Sequence, residues 1–282
     1  MKPFLKWVGG KTNILDKLTE YIPREINNYY EPFLGGGSVL IHFLGLVEKG
    51  CILLKGNVYA SDINETLINT YKSIQARPEI LSKTLKVYFD EYNETKNKEE
   101  YYYKIRTLFN SFKEHSIEKS AVFIFLNKTC FRGLYRENKN GKFNVPYGHY
   151  KTTPKMITLE ELKKLQKLFE KVTFEIVSFE NVLDKVQEGD FVYLDPPYVP
   201  VNETKTDFVQ YNSKGFDKQF HSLLFEKVKQ LKGNFTMSNS NCEMTIQTFS
   251  NSNVNVIKVI AKRSIHSKNP ETKTTELIIS NC

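Results

Sequence analysis

An α/β fold is predicted by three features of this 282-residue sequence: a glycine turn between a strand and a helix near Gly37, an acid closing the next strand at Asp62, and strand–helix alternation that resumes after Met156. Strand, turn, helix, strand and acid, in that order, make the first half of a Rossmann-like sheet. The first strand lies in "NNYYEPF" and runs into "LGGGS", with a helix from about Ser38. "NVYASD" is the second strand, ending in Asp62, and "INETLINTYKSI" is the helix after it.

From Thr66 to Met156 the chain changes character. Charged, aromatic-rich helical segments ("YYYKIRTLFNSFKEH", "SAVFIFLNKTC") give way to a glycine-punctuated stretch, "FRGLYRENKNGKFNVPYGHYKTTP". Strands return in "TFEIVS", "DFVYLDPPY" and "NFTMSNS", and a final pair follows in "VNVIKVIA" and "TELIISN". Residues 1–65 and 157–282 are therefore expected to form one core, interrupted by a mainly helical module over 66–156.

The composition fits a globular chain: 40% of residues are hydrophobic, with 14 glycines and 10 prolines. The formal net charge of +8 favours an acidic partner, most simply nucleic acid. Four dispersed cysteines form no C-x-x-C pair, and five scattered histidines lack ligand spacing, so a reduced protein without a metal is expected. "MKPFLKWVGG" has a lysine within a very short apolar run and reads as neither a signal peptide nor a membrane span. A cytoplasmic protein follows, with no membrane partner.

Candidate chemistry lies at the strand ends. A glycine turn such as "EPFLGGGS" lets backbone approach a ligand while the following helix N-terminus favours polar groups, although such turns are also plain tight connections. Asp62 falls 25 residues after Gly37, where an acid can accept two ribose hydroxyls or simply cap the next helix. "GGKT" at residues 9–12 is not a phosphate loop, because the Walker pattern needs glycine where Leu5 stands. Between Lys128 and Lys155, seven basic residues face the single acid Glu137, a net +6 beside Phe131, Tyr135, Tyr147 and Tyr150. Such a cluster neutralises phosphates, and an arginine within it can read guanine; the plainer alternative is a solvated loop.

"FVYLDPPYVP" ends a buried strand in an acid, two prolines and a tyrosine. Asp195 accepts a hydrogen bond, Pro196 offers a carbonyl, and Tyr198 offers a ring. Together they suit a primary amine on a planar base better than they suit an Asp-Pro turn alone.

At this point the chain resembles the Dam-like, α-group DNA adenine-N6 methyltransferases over nearly its whole length. The matching stretches are "FLKWVGGK", "EPFLGGGSV", "SDINETLI", "GLYR", "FNVPYGHYK" and "DFVYLDPPY", in the family's order. The resemblance implies a Rossmann-like S-adenosylmethionine-dependent core and a target-recognition insert carrying a β-hairpin. It implies S-adenosyl-L-methionine as methyl donor, S-adenosyl-L-homocysteine as product, and double-stranded DNA as substrate. Trp7, Lys11, Phe33, Gly35, Gly37, Asp62 and Asp195 would then hold the cofactor, while Asp195, Pro196 and Tyr198 hold the adenine. Lys6, Arg132, Leu134, Arg136, Pro146, His149 and Tyr150 would meet DNA. Arg132 stands where the family commonly has Asn, and His149 where it often has Arg. The target is thus GATC or another short adenine-containing motif.

The expected reaction turns the adenine out of the duplex and methylates N6 directly, because N6 cannot meet the methyl group in line while stacked. Acceptors at Asp195 and the Pro196 carbonyl would stabilise the positive charge developing on nitrogen. One flipped base needs one site, so a monomer is expected, of bacterial or of phage or viral origin, compatible with a separate cognate restriction endonuclease. The rival readings are a non-catalytic DNA-binding protein and methylation of RNA adenine.

Overall fold

The computed structural model describes residues 1–200, 216–250, 253–262 and 273–282. A short helix α1 (Leu15–Thr19) leads into β1 (Glu25–Ile26) and β2 (Tyr29–Glu31), then α2 (Ser38–Glu48), β3 (Leu53–Leu54), β4 (Val58–Asp62) and α3 (Glu65–Ala76). Three further helices follow, α4 (Pro78–Glu94), α5 (Lys98–Ser111) and α6 (Ile117–Thr129), and then the glycine-punctuated loop. The alternation resumes with α7 (Leu159–Leu168), β5 (Val172–Ile176), α8 (Phe179–Leu183) and β6 (Phe191–Leu194). It closes with α9 (Lys218–Lys229), β7 (Asn234–Ser240), α10 (Glu243–Phe249), β8 (Asn255–Lys262) and β9 (Lys273–Ser280). Each strand expected from the sequence is present.

Seven strands form one sheet in the order β5-β4-β2-β6-β7-β9-β8, and β1 pairs separately with β3. The first five are parallel, whereas β9 runs antiparallel to both β7 and β8. Alternation along the strands assigns side chains to two apolar layers: Tyr29, Phe191 and Tyr193 enter one, Tyr30, Val192 and Leu194 the other. All four residues of β6 are buried, as a central parallel strand covered on both faces requires. The hydroxyls of β7 are buried too, and each has a partner. Thr236 donates to the Tyr21 carbonyl (2.8 Å), Ser238 meets the Tyr193 hydroxyl (2.9 Å), and Ser240 donates to the Val199 carbonyl (2.6 Å).

The chain leaves β2 toward β4 on one side, while β6 and β7 lie on the other. The strand order therefore reverses between β2 and β6, and ligands of open α/β sheets bind beyond the strand C-termini at such a point. Three acids end there: Glu31 on β2, Asp62 on β4 and Asp195 just past β6.

Helix α3 falls, all but its first residue, within the span 66–156, yet it packs on β4 and β5 as a covering helix of the sheet. Tyr71 stacks on Phe174 (5.1 Å), and Gln75 donates to the carbonyls of Phe169 (2.6 Å) and Val172 (2.9 Å). Beyond it, α4, α5 and α6 close around Phe125, whose ring meets Phe89 (5.3 Å), Tyr92 (5.5 Å) and Tyr101 (5.9 Å). Local signals set their ends: Asn97 and Ser116 cap α5 and α6, and Thr158 with Glu161 forms a capping box on α7. The hairpin after α6 consists of two isolated antiparallel bridges, Cys130 with Tyr147 and Glu137 with Phe143. Among the described residues, no helix is long and apolar enough to cross a membrane.

Candidate active site

The turn from β2 to α2 is built by glycines. Gly35 and Gly37 have φ of +47° and +66°, the left-handed region that side chains disfavour. A Cβ on Gly35 would lie 2.7 Å from the Trp7 ring, and one on Gly37 2.5 Å from the Tyr71 hydroxyl. The glycines thus make room for two of the protein's own aromatic rings. Asp62 ties this turn to the next strand, accepting from the Gly35 amide (3.1 Å) and the Asn64 amide (2.9 Å). It does not cap α3; Asn64 does, accepting from the Leu67 amide at 2.9 Å. Burial raises the Asp62 carboxyl above its ordinary value, and the amides of Asn64, Gly35 and Ile63 oppose that rise.

Lys11 is 4% exposed, and its Nζ lies 2.8 Å from Asp195 Oδ1. The same ammonium donates to the Gly9 carbonyl (2.5 Å) and lies 4.9 Å from the Tyr198 ring centroid. Burial raises the Asp195 carboxyl above its ordinary value, Lys11 pulls it back, and Glu276 adds to the rise. Lys11, Asp195 and Tyr198 therefore form one cluster, and Pro196, next to Asp195 in the chain, is buried. The following residue is pinned to β7, because the Val199 amide donates to Asn239 Oδ1 (3.2 Å). Phe33 lies to one side, stacked on Phe179 at 5.5 Å.

Sequence reasoning passed over two side chains of this site. Glu31 is buried and accepts from the Tyr29 hydroxyl (2.6 Å); burial pushes its carboxyl up to about 8 against that bond, and Asp195 adds to the rise. Glu276 accepts from the Tyr198 hydroxyl at 2.8 Å. Each was visible as a lone acid in an apolar run, "YYEPF" and "TELIIS".

Trp7 joins the glycine turn to the helical module, stacking on Tyr135 at 5.5 Å. Lys6, beside it, reaches toward the Tyr150 ring at 4.7 Å, and Tyr150 donates to the Cys130 carbonyl at 2.8 Å. Asn127 was not singled out either, yet its buried amide accepts from the Lys6 amide (2.9 Å) and donates to the carbonyls of Lys6 (2.8 Å) and Gly133 (3.1 Å). A polar residue ending the apolar run "AVFIFLN" was the signal for it.

Arg132 and His149 have φ of +56° and +40° and are the only non-glycine residues with positive φ among those described. The Arg132 guanidinium lies 5.2 Å from the ring centroid of Phe131, an exposed residue. Arg136 bridges the hairpin through Asn144 Oδ1 (2.7 Å). Leu134 is half-buried, and Pro146 and His149 are exposed. The residues expected to meet DNA thus gather around the hairpin, connected to the sheet through Lys6 and Asn127.

A family model described as D12 class N6 adenine-specific DNA methyltransferase matches residues 7–265. Over its full length the chain is 39% identical to the type II methyltransferase M.MjaIII of Methanocaldococcus jannaschii, covering 99% of that protein. It is 33% identical to the type II methyltransferase M1.LlaDCHI of Lactococcus lactis subsp. cremoris, covering 100% of this chain and 95% of the relative. It is also 31% identical to a DNA adenine methylase of Vibrio cholerae, over 94% of this chain and 90% of the relative. Asp62 and the Lys11–Asp195–Tyr198 cluster lie inside the matched region, and on these grounds the chain belongs to the D12 class N6 adenine-specific DNA methyltransferase family.

Proposed function

We propose that this enzyme transfers a methyl group from S-adenosyl-L-methionine to N6 of an adenine turned out of a short duplex DNA site. The observation that carries the reading is the Lys11 cluster: Asp195 and the Tyr198 ring already share one amine nitrogen, at 2.8 Å and 4.9 Å. An adenine would meet the same two groups with an N–H donor for the carboxylate and a flat face for the ring. On entry its amine replaces the Lys11 ammonium at Asp195, while Lys11 keeps its bond to the Gly9 carbonyl. Asp195 and the Pro196 carbonyl then accept from N6, which favours a more tetrahedral nitrogen and stabilises its developing positive charge.

The residues fit the methyl donor. The Asp62 oxygens, oriented by the Gly35 and Asn64 amides, are acceptors of the kind that would take the ribose hydroxyls of the donor. Phe33, Gly35, Gly37 and Trp7 line the turn beside it, at the strand ends where such ligands bind. S-adenosyl-L-methionine, when bound, supplies an electrophilic methyl group. The hairpin residues Arg132, Leu134, Arg136, Pro146, His149 and Tyr150, with Lys6, read and hold the duplex, and the module beyond α3 serves as the target-recognition unit. The enzyme acts as a monomer on one base at a time.

Labelled methyl transfer to unmethylated genomic DNA, followed by base-resolved mapping of N6-methyladenine, tests this directly. Methylation at one short motif is expected. D195A is expected to lower transfer more than about a hundredfold while leaving DNA binding within about twofold, as for loss of a group that acts on the reacting atom. RNA accepted in preference to duplex DNA, or D195A with the wild-type rate, would overturn the reading.

A further inference from the structure

The main chain around Tyr198 is anchored on both sides of the following residue. The Val199 amide donates to Asn239, and the Val199 carbonyl accepts from Ser240. These bonds hold the main chain; the tip of the Tyr198 side chain is held by its hydroxyl, which donates to Glu276 Oε2 at 2.8 Å.

Glu276 stands on β9, paired with Ser240 of β7 on one side and Val259 of β8 on the other. It opens a run in which Leu277, Ile278, Ile279 and Ser280 are all buried. A carboxylate at such a position is costly unless it is hydrogen-bonded, and Tyr198 provides the bond. Burial raises the Tyr198 hydroxyl well above its ordinary value, with Asp195 and Glu276 adding to the rise, so the phenol keeps its proton and donates. Donation to a carboxylate polarises the phenol and enriches its ring in electron density. An electron-rich ring face attracts cations, and the Lys11 ammonium already lies over this one.

We infer that Glu276 is a positioning residue for methyl transfer: it holds the tip of the Tyr198 side chain in place and enriches the ring face presented to the amine that gains positive charge. This rests on the reading of Asp195 and Tyr198 as the amine site. Glu276 positions the ring only through the tyrosine hydroxyl, while its charge also raises the Asp195 carboxyl and so does not aid the acceptor. Removing the hydroxyl must therefore remove the positioning effect of Glu276.

The test is a double-mutant cycle on kcat with the full-length enzyme and a duplex carrying its mapped site. E276A and Y198F are each expected to lower kcat about tenfold, the scale of a lost charge-assisted hydrogen bond, with KM for S-adenosylmethionine unchanged. The double variant should be no slower than either single one. E276Q, which still accepts but carries no charge, should recover part of the rate and keep a loss of about threefold, the share of the charge. With 2-aminopurine as the target base, E276A should leave the flipped base more fluorescent than wild type does, because a ring no longer held at its tip stacks on the base less closely and quenches less. Losses that multiply in the double variant, or E276A at the wild-type kcat, overturn the inference. Y198A at the wild-type kcat instead overturns the amine-site reading beneath it. Should E276A lose its thermal transition, E276Q combined with Y198F completes the cycle, and additive losses there count equally against Glu276.

Discussion

Glu31 shows how a single buried acid couples this site to pH. Its carboxyl is raised to about 8, chiefly by burial, while in an unfolded chain it titrates near about 4.3. Folding therefore takes up a proton between these values. The stabilisation is complete below about pH 4 and is lost as pH rises through about 8. Replacing Glu31 by Gln keeps an acceptor for the Tyr29 hydroxyl and abolishes the titration. The wild-type Tm is expected to fall relative to that of E31Q between pH 6 and 9, which parallel thermal melts across that range would check. Tm curves that stay parallel would show that Glu31 takes up no proton on folding in this range. Asp195 lies on the same side of the balance, raised by burial but held back by Lys11. The acceptor role proposed for it is then expected to be lost on acidification at a pH above the ordinary aspartate value of 3.8.

Among the elements, the turn that opens the hairpin is the most strained. Arg132 and Gly133 adopt left-handed φ in succession, +56° and +69°. Gly133 has no alternative: a Cβ there would lie 2.5 Å from the Cβ of Lys6. Arg132 adopts the conformation at a cost of about 1 kcal/mol, which Asn, at home in this region, largely avoids. R132N is therefore expected to raise Tm by about 2 °C to 4 °C in a chain of this size. Its mapped methylation motif should shift or relax at the same time, since the guanidinium stacked on Phe131 is removed. A higher Tm with an unchanged motif would separate backbone strain from DNA reading. That the turn held glycine was legible in "FRGLYR", but its left-handed arginine was not, because residue type alone does not place an arginine in that region.

At the scale of the molecule, the helices beyond α3 do not stand apart from the sheet. One apolar cluster runs from Tyr29 and Phe43 through Tyr71 to Phe89, Phe109 and Phe125. Elements that share a core lose it together. Calorimetric unfolding is expected to give one transition in which helix and sheet signals coincide. Two resolved transitions would mean that α4 to α6 form a separately stable unit. The alternation of the first five strands and the position of the interruption were legible, because strand ends, glycine turns and helix caps are local events. The packing of the interruption onto the sheet was not.

The sequence by itself determined the order of elements, the glycine turn, and the acids Asp62 and Asp195 at strand ends, since each follows from residues within a few positions of one another. Only the tertiary structure decided which distant groups meet. Lys11 is brought onto Asp195, Asn127 onto Lys6 across 121 positions, and Tyr198 onto Glu276 across 78. Those contacts depend on sheet order and on the antiparallel return of β9 beside β7. Nothing in the local spacing of residues encodes that return, because it is a choice of neighbour made when the whole apolar core is buried.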